Sequence, residues 1–364
     1  MDGYLFDGLS VGCLYAFIAL GYTMVYGIIK LINFAHGEIF MVGAFISLAA
    51  LRRLGVERLP LPHPAPVLLA WLVAALLAAL GCATLAVLIE KLAYKPLRGR
   101  GGPITALLAA LGVSLFLQNV MQQKEVEGAS QQSFPEPRRF SRFEGADPSF
   151  VTKREAYIVG VSATDGGAGP EGRVFLTSLG KDLEKVRARA EELGASGFYE
   201  DLSLSVNARK LIIFAALAVA GAGLYVLVKH TRQGKAMRAV SWDMATAKLM
   251  GVNVDRTISF TFFIGAFLAG IGGLLWALRY GKVEPQMGSL PGLKAFIAAV
   301  FGGIGSIPGA VVGGIALGVL ETLATVFLPE GYTSYRDAVA FVVLIVILLV
   351  RPSGLFGRWE GEKV

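Results

Sequence analysis

Long stretches of this chain are apolar on every side. Runs at 8–29, 65–89, 103–123, 209–228, 257–278, 309–328 and 337–350 read as membrane-crossing helices, since a span must cover ~30 Å of hydrocarbon at about 1.5 Å per residue. Shorter or polar-marked runs lie at 31–51 and 292–304. The clearest span is Val67 to Ile89, which holds twelve Leu, Ile or Val. At roughly −0.5 kcal/mol each, these favour insertion by about 6 kcal/mol. A soluble helix is apolar all round over such a length only when fully buried. The pattern predicts an all-α polytopic membrane protein of eight or nine membrane segments, some of them short or broken.

One stretch breaks the pattern. In residues 124–206, Ala156 to Ala163 (AYIVGVSA) reads as a strand, Lys181 to Leu193 as a charged amphipathic helix and Phe198 to Val206 as a second strand. TDGGAGPEG at 164–172 between them is turn chemistry. The predicted organisation is an N-terminal transmembrane half at 1–123, a small soluble α+β insertion at 124–206, and a C-terminal transmembrane half at 207–364 that includes a long polar loop at 229–256.

Composition agrees. The 364 residues are 54% hydrophobic and 17% charged, and 45 are Gly. Mean hydropathy is +0.60. The insertion holds 25 of the 61 charged residues and carries −3 of a net +7, which leaves +10 on the membrane part. Basic residues flanking membrane spans account for the pI of 9.4 without invoking nucleic acid. Cys13 and Cys82 both lie in apolar runs, so there is no disulfide framework and no pair at metal-ligand spacing. Asp2 and Asp7 stand where a secretory signal needs basic residues, so the first helix is read as retained.

The side on which Lys and Arg collect predicts orientation. With the N-terminus outside, the short inner loops and C-terminus hold fourteen basic residues, among them Lys91, Arg98, Lys229, Arg238 and Arg351, against six in the outer loops. The expectation is N-terminus out, C-terminus in, the insertion extracytoplasmic and the 229–256 loop cytoplasmic.

Enzymatic chemistry finds little support. His36, His63 and His230 are the only histidines, and none is placed to form a zinc site or a triad. No GxxxxGK[ST] frame occurs, so ATP, if used, is hydrolysed by a partner. The chain is therefore expected to carry no catalytic residues and to bind no metal or cofactor of its own.

Three regions interrupt the apolar pattern. In LINFAHGEIFMVGAF at 31–45, Glu38 lies about 10 Å into a helix counted from Leu31. A carboxylate at that depth costs a few kcal/mol against lipid, so it faces a partner helix or an aqueous path. Asn33, His36 and Glu38 are candidate path or gating residues, or else interfacial anchors of the helix start. The loop at 229–256 has good helix formers from Gly234 to Leu249 and a natural stop at Gly251. It is far longer than the ~2–8 residues that join antiparallel helices, which suits docking to another protein, against a merely basic lipid-hugging loop. In FGGIGSIPGAVVGGIALG at 301–318, Gly305, Gly309 and Gly313 recur every four residues, as do Gly314 and Gly318, allowing close helix approach. Pro308 marks a break there, and Gly265, Ala269 and Gly273 repeat the spacing one span earlier.

The segments GLSVGCLYAFIALGYTMVYGIIKLINFAHGEIFMVGAF at 8–45, AYKPLRGR at 93–100, QGKAMRAVSWDMATAKLMGVNVDRTISFTFFIGAFLAGIGGLL at 233–275, AFIAAVFGGIGSIPGAVVGGIALGVLE at 295–321 and RPSGLFG at 351–357 together resemble the H-type permeases of branched-chain amino acid ABC transporters. The resemblance implies a bacterial inner-membrane importer of Leu, Ile and Val. Its parts would be a homologous second permease, two cytoplasmic ABC ATPases that use ATP and Mg, and an extracytoplasmic binding protein. It also implies that the 229–256 loop corresponds to the EAA loop of ABC importers, with Gly234, Arg238, Asp243, Ala245, Ala247 and Gly251 at the ATPase. Ala245 stands where other importers often carry Glu. Residues 125–206 are not matched to the family pattern. Urea or short-amide ABC permeases share INFAHGE and the Gly ladder and form the first alternative. An ion-coupled secondary transporter is the second, and it lacks mid-membrane acidic residues beyond Glu38, with Glu90 and Glu321 close to segment ends.

Overall fold

Each apolar run becomes a helix in the computed structural model, which describes residues 2–30, 33–56, 64–98, 103–123, 131–134, 156–161, 173–177, 195–199, 208–303, 305–327, 335–351 and 354–357. In chain order the helices are α1 (Asp2–Ile29), α2 (His36–Arg53), α3 (Pro64–Ile89), α4 (Pro103–Met121), α5 (Ala208–His230), α6 (Arg232–Trp242), α7 (Met244–Leu249), α8 (Val254–Tyr280), α9 (Ser289–Gly302), α10 (Ile307–Phe327) and α11 (Arg336–Val350). A π-helical turn, Glu90–Tyr94, continues α3. Six of these helices, α1, α3, α4, α5, α8 and α10, are long and apolar enough to cross a membrane among the described residues. The remaining three predicted segments form α2, α9 and α11, of 18, 14 and 15 residues. At about 1.5 Å per residue the last two fall short of ~30 Å. The protein is a helical, multi-pass membrane protein.

The chain divides into two units, one of residues 1–138 and 206–364, the other of residues 139–205. In the first, α1 is the most enclosed element. Leu14, Ala16, Phe17, Ile18, Ala19 and Leu20 are fully buried. Its neighbours approach through glycine. A Cβ placed on Gly318 of α10 would fall 2.2 Å from Gly12 N, and one on Gly314 would fall 2.5 Å from Ala16 Cα. On the far side of the core, a Cβ on Gly273 of α8 would lie 2.5 Å from Phe40 O of α2, and one on Gly270 would lie 2.6 Å from Ala78 O of α3. Lipid supplies no hydrophobic drive for helix association, so such backbone contact and its dispersion energy hold the bundle together. A short ladder pairs β1 (Gln132–Ser133) with β5 (Lys282–Val283), tying the chain after α4 to the loop after α8.

The second unit has a three-stranded antiparallel sheet in the order β3-β2-β4, built from β2 (Ala156–Val161), β3 (Arg173–Thr177) and β4 (Ala195–Tyr199). The strand predicted at 156–163 is present at 156–161. Of the second predicted strand, 198–206, residues 198 and 199 lie in β4, which begins at Ala195, and 200–206 lie outside the described residues. In β4 Phe198 pairs with Val159, and a bulge follows between Gly160 and Val161. The sequence pattern does not announce β3: five residues directly after a Gly-rich stretch offer too short a period-2 alternation, and pairing with β2 supplies what the pattern lacks. The helix expected at 181–193 and the turn at 164–172 lie outside the described residues.

Candidate functional site

The 33–38 segment is the tightest concentration of buried polar groups. The helix starts at His36 rather than near Leu31, so Glu38 sits in the first turn of α2, not 10 Å along it. The reason is local: the Asn33 side-chain oxygen accepts the Ala35 N–H at 3.1 Å and its carbonyl accepts the His36 N–H at 3.1 Å, folding 33–36 into a turn. Asn33, His36 and Glu38 are each only 2% exposed.

These three side chains do not converge. Asn33 accepts from the Tyr94 hydroxyl at 2.7 Å, on the side of the π-turn. His36 packs into the space left by Gly21 of α1 and sits edge-on to Tyr22, with ring centroids 4.8 Å apart. Glu38 points the other way. Its Oε1 accepts from Ser289 of α9 at 3.0 Å and, more weakly, from Ser114 of α4 at 3.5 Å. Two residues on a helix differ by about 200° in direction, which separates His36 from Glu38. Asn33 Nδ2, His36 Nε2 and Glu38 Oε2 have no hydrogen-bond partner among the described residues. Glycine makes this junction possible: a Cβ on Gly37 would fall 2.5 Å from Gly288 O and 3.0 Å from Gly292 Cα, so the N-terminal ends of α2 and α9 meet backbone to backbone.

The 229–256 loop contains two helices where the sequence predicts one from Gly234 to Leu249. The break is Asp243, held extended at φ −156° and ψ 117°. Its carboxylate accepts the Ala245 N–H at 2.9 Å and the Thr246 hydroxyl, an N-cap that stops α6 and starts α7. At the other end Gly251 takes φ +84°, Gly251 N–H bonds Lys248 O and Val252 N–H bonds Ala247 O. This is a Schellman stop of the kind the glycine predicts. Thr231 caps α6 by accepting from Gly234 N–H at 3.0 Å, and Gly234 lies where a Cβ would meet Val228 O at 2.2 Å. Arg238 donates to the same Val228 carbonyl. Gly234, Met237, Val240 and Ala247 face inward, while Arg238, Asp243, Ala245 and Gly251 are exposed. Trp242, Leu249 and Met250 are large apolar residues at 73%, 87% and 79% exposure.

The glycine ladder is two stripes facing different helices. Gly309 and Gly313 face α9: a Cβ on each would lie 2.3 Å from Gly302 O and 2.1 Å from Ala298 O. Gly314 and Gly318 face α1. Gly305, at φ +88°, lies in the connection and abuts Gly27. Pro308 is the second residue of α10, where its missing N–H costs nothing; it begins that helix, and the break precedes it. The chain end closes the broken end of α9: Leu355 and Phe356 N–H groups donate to Phe301 and Gly302 carbonyls, each at 2.9 Å. This gives the RPSGLFG segment a structural task.

Two charge networks are not legible in the sequence. Glu90, fully buried, pairs with Arg98 at 2.7 Å and accepts from Ser259 of α8 at 2.7 Å. Arg98 and Lys95 in turn hold Asp255, at 3.1 and 2.9 Å. Lys294 of α9, 6% exposed, pairs with Glu321 of α10 at 2.9 Å and Asp337 of α11 at 2.8 Å, while Tyr15 of α1 donates to Glu321 at 2.8 Å. The signal is present as charges inside or beside apolar runs, but their partners lie far away in sequence. Among the described residues no group of His, Cys, Asp and Glu is placed to hold a metal.

Glycine-joined spans, buried polar groups and a doubly capped helical loop define a polytopic membrane protein with a closely packed polar-marked interior. The family described as "Branched-chain amino acid transport system / permease component" matches residues 4–348, and the chain belongs to it. It is 37% identical over 363 residues to the high-affinity branched-chain amino acid transport system permease protein LivH of Salmonella typhimurium, covering 99% of this chain and 96% of that protein. It is also 37% identical over 366 residues to BraD, a permease protein of the same description from Pseudomonas aeruginosa, covering 99% and 97%. A weaker likeness, 28% over 185 residues, reaches the autoinducer 2 import system permease protein LsrC of Klebsiella pneumoniae and covers 49% of this chain and 51% of that protein. No solved structure matches the chain. Family membership makes this a transport permease, not an enzyme.

Proposed function

We propose that this chain is one of two permeases in a binding-protein-dependent ABC importer that carries branched-chain amino acids into the cytoplasm. The observation that carries the reading is the α6–α7 pair: α7 is a short helix capped at both ends, and Trp242 at the end of α6, Leu249 at the end of α7 and Met250 after it are turned outward. An apolar, rigidly held projection of this kind fits a groove on a partner, and in an ABC importer that partner is the ATPase. Gly234 lets α6 start against the end of α5, Arg238 bonds the Val228 carbonyl at that end, Asp243 caps α7, Gly251 ends it, and Ala245 and Ala247 keep the two faces of α7 small.

In the mechanism, closure of two ATPases around ATP and Mg draws the paired loops together. The motion enters α8 through Asn253, which caps it by accepting the Arg256 N–H at 2.9 Å. Asp255 then carries it through Lys95 and Arg98 to the π-turn of α3. Helices meeting through glycine slide without side chains in the way, so the junction at Gly37, Gly288 and Gly292 and the two-faced ladder of α10 suit alternating access. Asn33, His36 and Glu38 line or gate the path. The N-terminus and the 124–206 insertion lie outside and the C-terminus inside, in the bacterial inner membrane, and the chain itself binds no cofactor.

Reconstitution with the second permease, both ATPases and the binding protein tests this. ATP-driven leucine uptake that requires the binding protein supports the reading. Uptake by this chain alone, driven by a proton or sodium gradient, overturns it.

A further inference from the structure

A groove of about 300 Å³ opens at the end of the bundle that carries the 229–256 loop, lined by Val87 of α3, Gln233 of α6, and Arg256, Ser259, Phe260 and Phe263 of α8. Its chemistry is divided. Val87, Phe260 and Phe263 supply an almost wholly apolar wall, and the exposed side chains of Gln233 and Arg256 stand at its mouth.

The apolar wall continues along α8. Arg256, Phe260, Phe263 and Phe267 follow one another at spacings of four, three and four residues, a single helical stripe. The rings stack: Phe260 and Phe263 centroids are 6.5 Å apart and nearly parallel, and Phe263 and Phe267 are 6.3 Å apart. From Arg256 to Phe267 the stripe covers about 16 Å, close to one leaflet of a ~30 Å hydrocarbon core. Arg256 is exposed and forms no ion pair among the described residues, because Glu90 and Asp255 are held by Arg98 and Lys95. An unpaired guanidinium at the mouth, an apolar track one leaflet long beneath it, and basic Arg232 beside Gln233 together complement one ligand.

We infer that this groove binds an anionic phospholipid, with the phosphate headgroup on Arg256 and Gln233 and one acyl chain along Phe260, Phe263 and Phe267. Arg is suited to phosphate because its planar fork presents paired donors. Ser259, which lines the groove, gives its one hydroxyl proton to Glu90, so the bound lipid lies against the strut between the loop and α3.

The test uses the assembled transporter in phosphatidylcholine vesicles doped with phosphatidylglycerol bearing a photoactivatable diazirine on one acyl chain. The expected adducts fall on Phe260 and Phe263 and on the Val87 peptide. Arg256→Gln lowers this labelling about fivefold, the contribution of one basic residue near an anionic surface, whereas Arg256→Lys retains most of it and neither variant changes the melting temperature. Diazirine-phosphatidylcholine labels the same peptides weakly and does not respond to Arg256→Gln. Equal labelling by both lipids with no response to Arg256→Gln overturns the inference in favour of ordinary surrounding lipid. Labelling that appears only when the chain is separated from its partners also overturns it, because a protein subunit then covers the groove.

Discussion

Arg98 reaches the fully buried Glu90 at 2.7 Å and, with its other terminal nitrogen, Asp255 at 3.1 Å. The π-turn between them makes this reach possible. Lys95 N–H bonds Glu90 O five residues back, and the widened turn brings the following residues over the end of α3. Breaking a buried pair by removing one partner leaves an uncompensated charge and costs about 3–5 kcal/mol. Arg98→Ala is therefore expected to lower the melting temperature of the purified chain strongly, and Glu90→Gln combined with Arg98→Gln to recover most of the loss. An Arg98→Ala protein as stable as the parent would show that the strut does not hold α3 to α8.

The Lys294 network joins four helices through one ammonium group. Lys294→Met should leave Glu321 and Asp337 with only the half-exposed Arg336 as cation, at 3.5 and 3.6 Å, and destabilise the bundle by roughly 3 kcal/mol, toward the lower end of the range for a broken buried pair. Lys294→Met with Glu321→Met and Asp337→Asn should be far milder, since apolar replacement of a whole buried ion cluster is often neutral. Thermal denaturation of the parent and both variants in detergent checks the order.

Glycine positions divide sharply by what surrounds them. Gly318→Leu would drive a side chain into the α1 backbone at Gly12, so it should abolish assembly of the bundle, seen as loss of folded protein in size-exclusion profiles. A Cβ on Gly112 of α4 would meet nothing within 4 Å. Gly112→Ala should accordingly be neutral or stabilising by up to about 1 kcal/mol from helix propensity alone.

Gly251 sits at φ +84°, where a β-branched residue is strained by about 1–2 kcal/mol. Gly251→Val should leave the spans folded but disturb the seat of α7, lowering leucine uptake more than ATP hydrolysis; Gly251→Asn should be milder because Asn tolerates this region. Equal uptake per ATP in Gly251→Val and parent would exclude α7 as the coupling element.

Topology has its own readout. A single cysteine at Ser178 should react with an impermeant maleimide in intact cells, and one at Ser241 only after permeabilisation. The reverse pattern would invert the proposed orientation.

Membrane character, the run of helices and the capped loop are legible in the sequence because each depends on neighbours a few residues apart. Apolar length gives a span wherever water is absent, Gly251 ends a helix locally, and the four-residue glycine spacing announces close contact whatever the partner. The start of α2 falls at His36, later than the apolar pattern predicts, because a side-chain turn from Asn33 outweighs that pattern; the break at Asp243 is hidden because its cap competes with good helix formers. What the sequence does not contain is who meets whom. Glu38 with Ser289, Glu90 with Ser259 and Lys294 with Glu321 pair residues 251, 169 and 27 positions apart. Only the folded bundle brings them within hydrogen-bond distance, and it alone decides that Asn33, His36 and Glu38, close in the chain, point three ways. Local propensity settles where a helix begins and ends; the cost of burying a charge among apolar helices is settled by whichever partner the tertiary packing delivers.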